Sequence, residues 1–361
     1  MDELTDLAAD LVSVPSHEDE AAAGDAIESW LREETDADVR RDDAGNVLAR
    51  KGTGEESLAL VGHHDVVPPD EGQVREDGYV VRTEDGRLYG RGAADMKGAV
   101  AAAMCAFRDA DPAEGLELVF ASFVGEEVGG TGARHAIEAG FAPDYAVVGE
   151  GSTNYSGPDV TDVVVAHRGR RASTLLAGGT ASHASEPEAG VNAVYRACDA
   201  VDVVRGMETP RTAVLGHEMA GSLVVTEIEG GSAWNVVPAE CAVTIDERTV
   251  PEERADLGRV EREVEGVEWR VDQDLPPMAC DDPAFADSVL RAAREAQDAV
   301  PEQVTKPHAT DAGWLAGAGT TCVICGPSEP GQAHTKDESV SLDVLERCYR
   351  IYRGVAESRL G

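Results

Sequence analysis

Three apolar runs in this chain end the same way, in a glycine followed at once by residues that bind metals or move protons. Leu58 to Val61 leads into Gly62, His63, His64 and Asp65; the run at 116–124 leads into Gly125, Glu126 and Glu127; Val147 and Val148 lead into Gly149 and Glu150. Unbroken apolar strands are buried on both faces, which requires a largely parallel sheet covered by helices on each side. Helical spacing of apolar residues at 4–12, 19–31, 96–108 and 132–139, between predicted strands at 47–49, 58–61, 116–124 and 145–148, supplies those helices. The expected fold is therefore α/β, a mixed sheet flanked by helices. Polar residues at the strand ends would face a common crevice.

Near Val163 the rhythm changes. Predicted strands at 162–166 running on into 172–176, then helix 190–204, strands 223–228 and 237–245, helix 252–264 and strand 268–271, follow the order β-α-β-β-α-β. That order is the split βαβ of a ferredoxin-like module. From 282 the chain returns to helix, strand and helix, with a strand at 321–325 and a closing helix at 342–357. A length of 361 residues also exceeds one ordinary core. The expected organisation is a first catalytic part over 1–166, an inserted α+β domain over 167–274 and a second catalytic part over 275–361.

Charge narrows the function. Asp and Glu number 69 against 31 Lys and Arg, a formal net charge of -38, and the only lysines are Lys51, Lys97, Lys306 and Lys336. Nucleic acid is a poor partner for such a surface, because phosphate binding needs the opposite sign. The acids are dispersed rather than gathered in a tail, which suggests a surface kept hydrated in concentrated salt, where screening acts over about 3 Å at 1 M. Seven cysteines, an odd number without close pairing, argue for a reducing compartment. Cys322 and Cys325 have CxxC spacing but lie in an apolar run, so strand packing is the expectation. The start of the chain lacks the pattern of a signal peptide, and the longest nearly uncharged stretch, 98–107, is too short for a bilayer. A soluble cytoplasmic protein is expected.

Each candidate side chain has an ordinary alternative. A lone histidine is usually structural, but Asp65 shares a strand face with His63, and a carboxylate beside a metal-binding imidazole fixes its orientation. Asp95 precedes a predicted helix, so it suits an N-cap as well as a shared ligand. The glycines around Glu126 and Glu127 could mark a phosphate loop, but the lysine is missing and two acids would repel phosphate. A hydrolytic metal site needs two acids with different tasks, one binding metal and one taking a proton. Glu150 repeats the pattern, and His334 follows the strand at 321–325. A helix-borne HExxH site is excluded, since His217-Glu218 lacks its second histidine.

Taken together, the segments at 62–65, 90–98, 125–127, 149–150 and 333–335 resemble the successive motifs of the M20 family of metallopeptidases, especially the branch of acetylornithine deacetylase, succinyl-diaminopimelate desuccinylase and carboxypeptidase G2. The resemblance implies a zinc-hydrolase α/β domain carrying a ferredoxin-like lid and dimerisation module. It implies two divalent ions, zinc foremost with cobalt or manganese as substitutes. Asp95 would bridge them, with His63 and Glu150 completing one site and Glu127 and His334 the other. Glu126 would be the general base, Asp65 the partner of His63, and the Asp95-Met96 peptide would be cis. In the lid, the segment around His183 resembles one whose histidine reaches the partner subunit's active site to hold a developing oxyanion. Asn235 and Arg248 resemble substrate-contacting positions, the arginine fork suiting an α-carboxylate. Thr310 and Asp311 resemble another loop on the substrate side. The implied function is cleavage of the amide of an N-acyl amino acid by a homodimer. A peptidase acting on short peptides is the alternative, and an inactive metal-binding relative a remote one. Glu150 is followed by Gly151-Ser152 where relatives often have Pro-Thr, whereas the loop before His334 most resembles the deacetylases.

Overall fold

A computed structural model describes residues 2–76 and 78–360. These form two compact units. The first comprises 1–166, 278–306 and 310–361; the second comprises 167–277 with the short segment 307–309. Against the expected inserted span of 167–274, the second unit runs on to 277 and takes the later tripeptide as well.

In the first unit the apolar runs become the centre of a nine-stranded sheet. Strand Glu56–His63 pairs in parallel with Leu116–Phe123 on one side and Tyr145–Val148 on the other, and Tyr145–Val148 pairs in parallel with Thr321–Ile324. Antiparallel strands flank this parallel centre: Asp38–Arg41 and Val47–Lys51 beyond Leu116–Phe123, and Val163–His167 beyond Thr321–Ile324. Met278–Ala279 and Gln303–Lys306 both border Val163–His167. The sheet is mixed and flanked by helices, as the alternation of strand and helix predicts.

Period-two alternation explains why both faces are covered. Ala59 and Val61 join a core cluster with Phe123, Ala133, Ala136 and Leu315, so helices Thr131–Glu138 and Asp311–Gly317 cover that face. Leu58 and Leu60 point the other way, where Phe107 of helix Gly98–Asp109 meets Phe120 with ring centroids 6.2 Å apart. That helix is alanine-rich and buried along nearly its whole length, between the sheet and helices Asp2–Ser13 and Leu342–Ala356. Small side chains permit that close approach. Cys322 and Cys325 are free and fully buried, as expected of strand packing.

The second unit contains a four-stranded antiparallel sheet in the order Ser222–Gly230, Glu240–Arg248, Arg170–Gly178, Val267–Leu275. Helices Ala193–Arg205 and Arg259–Glu263 pack on it, which is ferredoxin-like topology. Three local expectations fail. Strands 162–166 and 172–176 are not continuous: Val163–His167 belongs to the first sheet and Arg170–Gly178 to the second, parted at Gly169, where a Cβ would lie 2.4 Å from the Leu275 carbonyl oxygen. The helix expected at 252–264 is only Arg259–Glu263. Ala255 is held instead by a buried ion pair: its N–H donates to Glu247 Oε1 at 2.6 Å and its carbonyl accepts from Arg171 Nη2 at 2.7 Å. A hairpin, Arg211–Val214 with His217–Ala220, lies where no element was expected.

Among the described residues no helix is long and apolar enough to cross a membrane.

Candidate metal centre

All four parallel strands of the first unit run the same way, so their C-terminal ends lie along one edge and deliver side chains to one crevice. His63 ends its strand and is 1 % exposed. Glu126 and Glu127 follow Leu116–Phe123 through Gly125, whose φ of 61° lies in the left-handed region. A Cβ at Gly125 would stand 2.1 Å from Thr131 Oγ1, so this turn needs glycine. Glu150 comes two residues after Tyr145–Val148. The loop after Thr321–Ile324 brings His334, itself at φ 64°, a conformation that costs a non-glycine residue about 1–2 kcal/mol. Asp95 precedes helix Gly98–Asp109, and the Asp95-Met96 peptide is cis.

Asp95 is central. Its Oδ1 lies 3.2 Å from His63 Nε2, which is also 3.5 Å from Glu150 Oε1. Its Oδ2 lies 3.1 Å from His334 Nε2, which is 3.0 Å from Glu127 Oε1. Two groups result, His63 with Asp95 and Glu150, and Asp95 with Glu127 and His334; within each the ligating atoms lie within 4.8 Å of one another. One imidazole nitrogen with carboxylate oxygens from two acids is a donor set suited to zinc, cobalt or manganese.

Electrostatics fit the same occupant. Burial pulls the His63 pKa down, but hydrogen bonds with Asp65, Asp95 and Glu150 outweigh it and hold the ring well above its usual value. Hydrogen bonds with Asp95 and then Glu127 push His334 up to about 10. Burial acts to raise Asp95, yet His334 and His63 hold its carboxyl far below the usual range. Two protonated rings thus supply positive charge among three carboxylates. Divalent ions would displace those protons, since only the neutral ring is a ligand.

Asp65 organises the neighbouring loop. Its Oδ1 lies 3.3 Å from His63 Nδ1 and accepts from the Glu126 N–H at 3.1 Å, while Oδ2 accepts from the Glu127 N–H at 3.0 Å. Burial tends to raise the Asp65 pKa, but His63 and these two N–H groups bring it below the usual carboxylate range. Glu126 has the opposite environment. Burial, then the charges of Asp311, Glu150 and Asp95, raise its pKa well above the usual value against the pull of His63. Asp65 and Glu126 thus have opposed tendencies, Asp65 suited to staying charged beside His63 and Glu126 to carrying a proton.

Four further side chains of the site were not anticipated in these roles. Lys306 Nζ lies 3.0 Å from Glu150 Oε2, and the lysine is 7 % exposed. Arg91 and Glu338 form a buried pair at 2.8 Å beside the Asp95 segment. Asp311 is 3 % exposed with no hydrogen-bond partner for either carboxyl oxygen, and burial pushes its pKa up to about 7. Arg91 falls inside the motif segment at 90–98, and Glu338 lies three residues beyond the one at 333–335; Lys306 had no signal beyond being one of four lysines.

His183, Asn235 and Arg248 all lie in the second unit. The exposed His183 has Nδ1 2.6 Å from Ser185 Oγ, and the Asn235 carbonyl accepts from the Ala184 N–H at 2.9 Å, so His183 and Asn235 are neighbours. Arg248 closes strand Glu240–Arg248, its Nε donating to Asp246 Oδ1 at 2.7 Å. His183 bridges to Val236, ahead of the other end of that strand. A nine-residue strand spans about 25 Å. One small substrate cannot touch His183 and Arg248 of the same subunit.

Known proteins resemble this chain in sequence and in fold. Residues 59–358 match the model of peptidase family M20/M25/M40. An acetylornithine deacetylase of Myxococcus xanthus is 31 % identical over 338 residues, covering 85 % of this chain and 83 % of the relative. A succinyl-diaminopimelate desuccinylase of Alkalilimnicola ehrlichii is 32 % identical over 337 residues, covering 88 % of each. Among solved structures, aminopeptidase PepT of Bacillus cereus superposes with a TM-score of 0.80 at 19 % identity over 99 % of this chain and 98 % of that one. The YXEP protein of Bacillus subtilis, described as a dinuclear metal-binding peptidase of the M20 family, gives 0.71 at 17 % identity over 98 % and 96 %. At these identities the structures speak for the fold alone.

Proposed function

The chain belongs to peptidase family M20/M25/M40 and is thus a metal-dependent hydrolase of amide bonds, and from that premise we propose that it removes the acyl group from an N-acyl amino acid. The observation that carries the reading is Asp95, whose two carboxyl oxygens face two separate ligand groups, His63 with Glu150 and His334 with Glu127. We assign those five residues as ligands of two divalent ions, zinc foremost with cobalt or manganese able to replace it. When bound, such ions would lower the pKa of an attacking water and polarise the scissile carbonyl.

The chain's own residues account for the proton. Glu126, whose pKa burial raises, accepts a proton from the attacking water and returns it to the leaving amine. Asp65 fixes the distance between that base and the ligands, because one carboxylate grips His63 and the N–H groups of Glu126 and Glu127. Asn235 and Arg248 are assigned to the substrate, Arg248 to its carboxylate, and His183 to the oxyanion. Since His183 and Arg248 sit at opposite ends of one strand, this assignment draws them from two subunits and supports a homodimer. The seven free cysteines fit a reducing cytoplasm, and the dispersed acidic excess fits a high-salt one.

The deciding experiment is amine release from acetylornithine, succinyl-diaminopimelate, other acetylamino acids and dipeptides, in high salt with added zinc or cobalt. Release from an acylated amino acid well above that from dipeptides is expected. The reverse order would make the protein a short-chain peptidase.

A further inference from the structure

Behind Asp95 lies a residue that touches none of the proposed ligand atoms. Glu338 is 1 % exposed and follows His334 by four positions. Its Oε2 accepts from Arg91 Nη1 at 2.8 Å and from the Gly92 N–H at 3.0 Å. Its Oε1 accepts from the N–H groups of Ala94 at 3.0 Å and Asp95 at 3.1 Å. The Glu338 carbonyl also receives the Gly90 N–H at 3.1 Å. The donors need such a partner, because Asp95 (φ -130°, ψ 92°) and Met96 (φ -133°, ψ 33°) are not helical. Without it, the Gly92, Ala94 and Asp95 N–H groups would be buried without acceptors. Bonds to an ionised acceptor are about twice as strong as neutral ones, so the grip is firm.

We propose that Glu338 is a positioning residue for the bridging carboxylate. It holds the main chain of Asp95 so that Oδ1 faces His63 and Oδ2 faces His334, and it couples that segment to the loop that carries His334. The inference rests on the dinuclear reading above. An ordinary packing anchor would stabilise the fold and leave the two groups independent; a positioning residue also controls whether one carboxylate can serve both.

The test loads the full chain with manganese(II) and follows binding together with the electron paramagnetic resonance spectrum. The native protein is expected to take two ions with an exchange-coupled spectrum. Glu338→Gln puts an amide N–H₂ against backbone N–H donors; binding of the second ion should weaken about 10- to 100-fold, with the coupled spectrum replaced by that of isolated ions. Glu338→Asp keeps the charge opposite Arg91 but draws the oxygens back by one methylene, and covers the case in which the Gln variant fails to fold; it should shift in the same direction. Two ions bound at native affinity with native coupling in either folded variant overturns the proposal. A native protein that binds fewer than two ions, or two without coupling, overturns the dinuclear reading instead.

Discussion

Lys306 Nζ lies 3.0 Å from Glu150 Oε2, a buried ion pair in which the lysine contacts the acid and the acid's other oxygen faces His63. Burial lowers the Lys306 pKa, but the charge of Glu150 more than restores it. Breaking a pair of this kind by removing one partner typically costs about 3–5 kcal/mol, because the other charge is left alone in a poorly solvated place. In the metal-free protein Lys306→Met should therefore destabilise by about 3 kcal/mol. A bound ion would take over the compensation, so the penalty should shrink when metal is added. Urea unfolding with and without zinc checks this; an equal penalty in both states would show that Lys306 and the ion do not share Glu150.

Glu126→Gln removes the proton carrier and leaves the proposed ligands in place. Turnover should fall about 10²-fold or more while two ions still bind, since general acid–base steps contribute on that scale. Turnover assays paired with metal analysis of the same sample give the answer. Full activity would end the assignment of Glu126 as the base.

Asp65→Asn keeps one acceptor oxygen where two are in use, so one of the Glu126 and Glu127 N–H groups must lose its partner or His63 its neighbour. Residues that orient ligands in this way contribute about 10- to 100-fold in metal affinity or activity. Activity within a factor of about two of native would remove Asp65 from the site.

Asp246 sits between two arginines, with Arg170 Nε at 2.8 Å and Arg248 Nε at 2.7 Å. Burial tends to raise its pKa, but Arg170 and Arg248 hold the carboxyl below the usual range. A carboxyl depressed in the folded state adds stability above its unfolded pKa of about 4, and that stability is lost as pH falls through the folded value. Asp246→Asn should thus be less stable than native by up to about 1 kcal/mol at pH 7, the ordinary worth of a partly exposed pair. The gap should narrow by pH 3. Urea midpoints at both pH values decide it; a gap that widens on acidification would contradict the sign.

The net charge of -38 should make stability depend on salt. Raising salt from 0.1 M to 1 M shortens the screening length from about 10 Å to about 3 Å and quiets carboxylate repulsion. Thermal midpoints should rise with potassium chloride over that range. A flat response would remove the inference of a high-salt habitat.

Three of the proposed ligands, His63, Glu127 and Glu150, and the proposed base Glu126 were legible in the sequence because each belongs to a short local pattern, whereas Asp95 and His334 were singled out by the family resemblance. An apolar run predicts a buried parallel strand, glycine permits the turn at its end, and the polar residue beyond must face the crevice. His63, Glu126, Glu127 and Glu150 all follow this rule. The βαββαβ order of the second unit was legible for the same reason. Where local pattern misled, a distant partner had intervened: residues 252–258 have helical periodicity, but Ala255 is fixed by Arg171 and Glu247, the arginine lying 84 residues away.

The order of strands and acids along the chain thus determined the class of fold and the kinds of chemistry by itself, since both follow from periodicity and residue type. Only the tertiary structure decided how the acids are held. Lys306 is 156 residues from Glu150 and Arg91 is 247 from Glu338. Folding alone brings such charges within 3 Å of each other, and burial alone makes them strong.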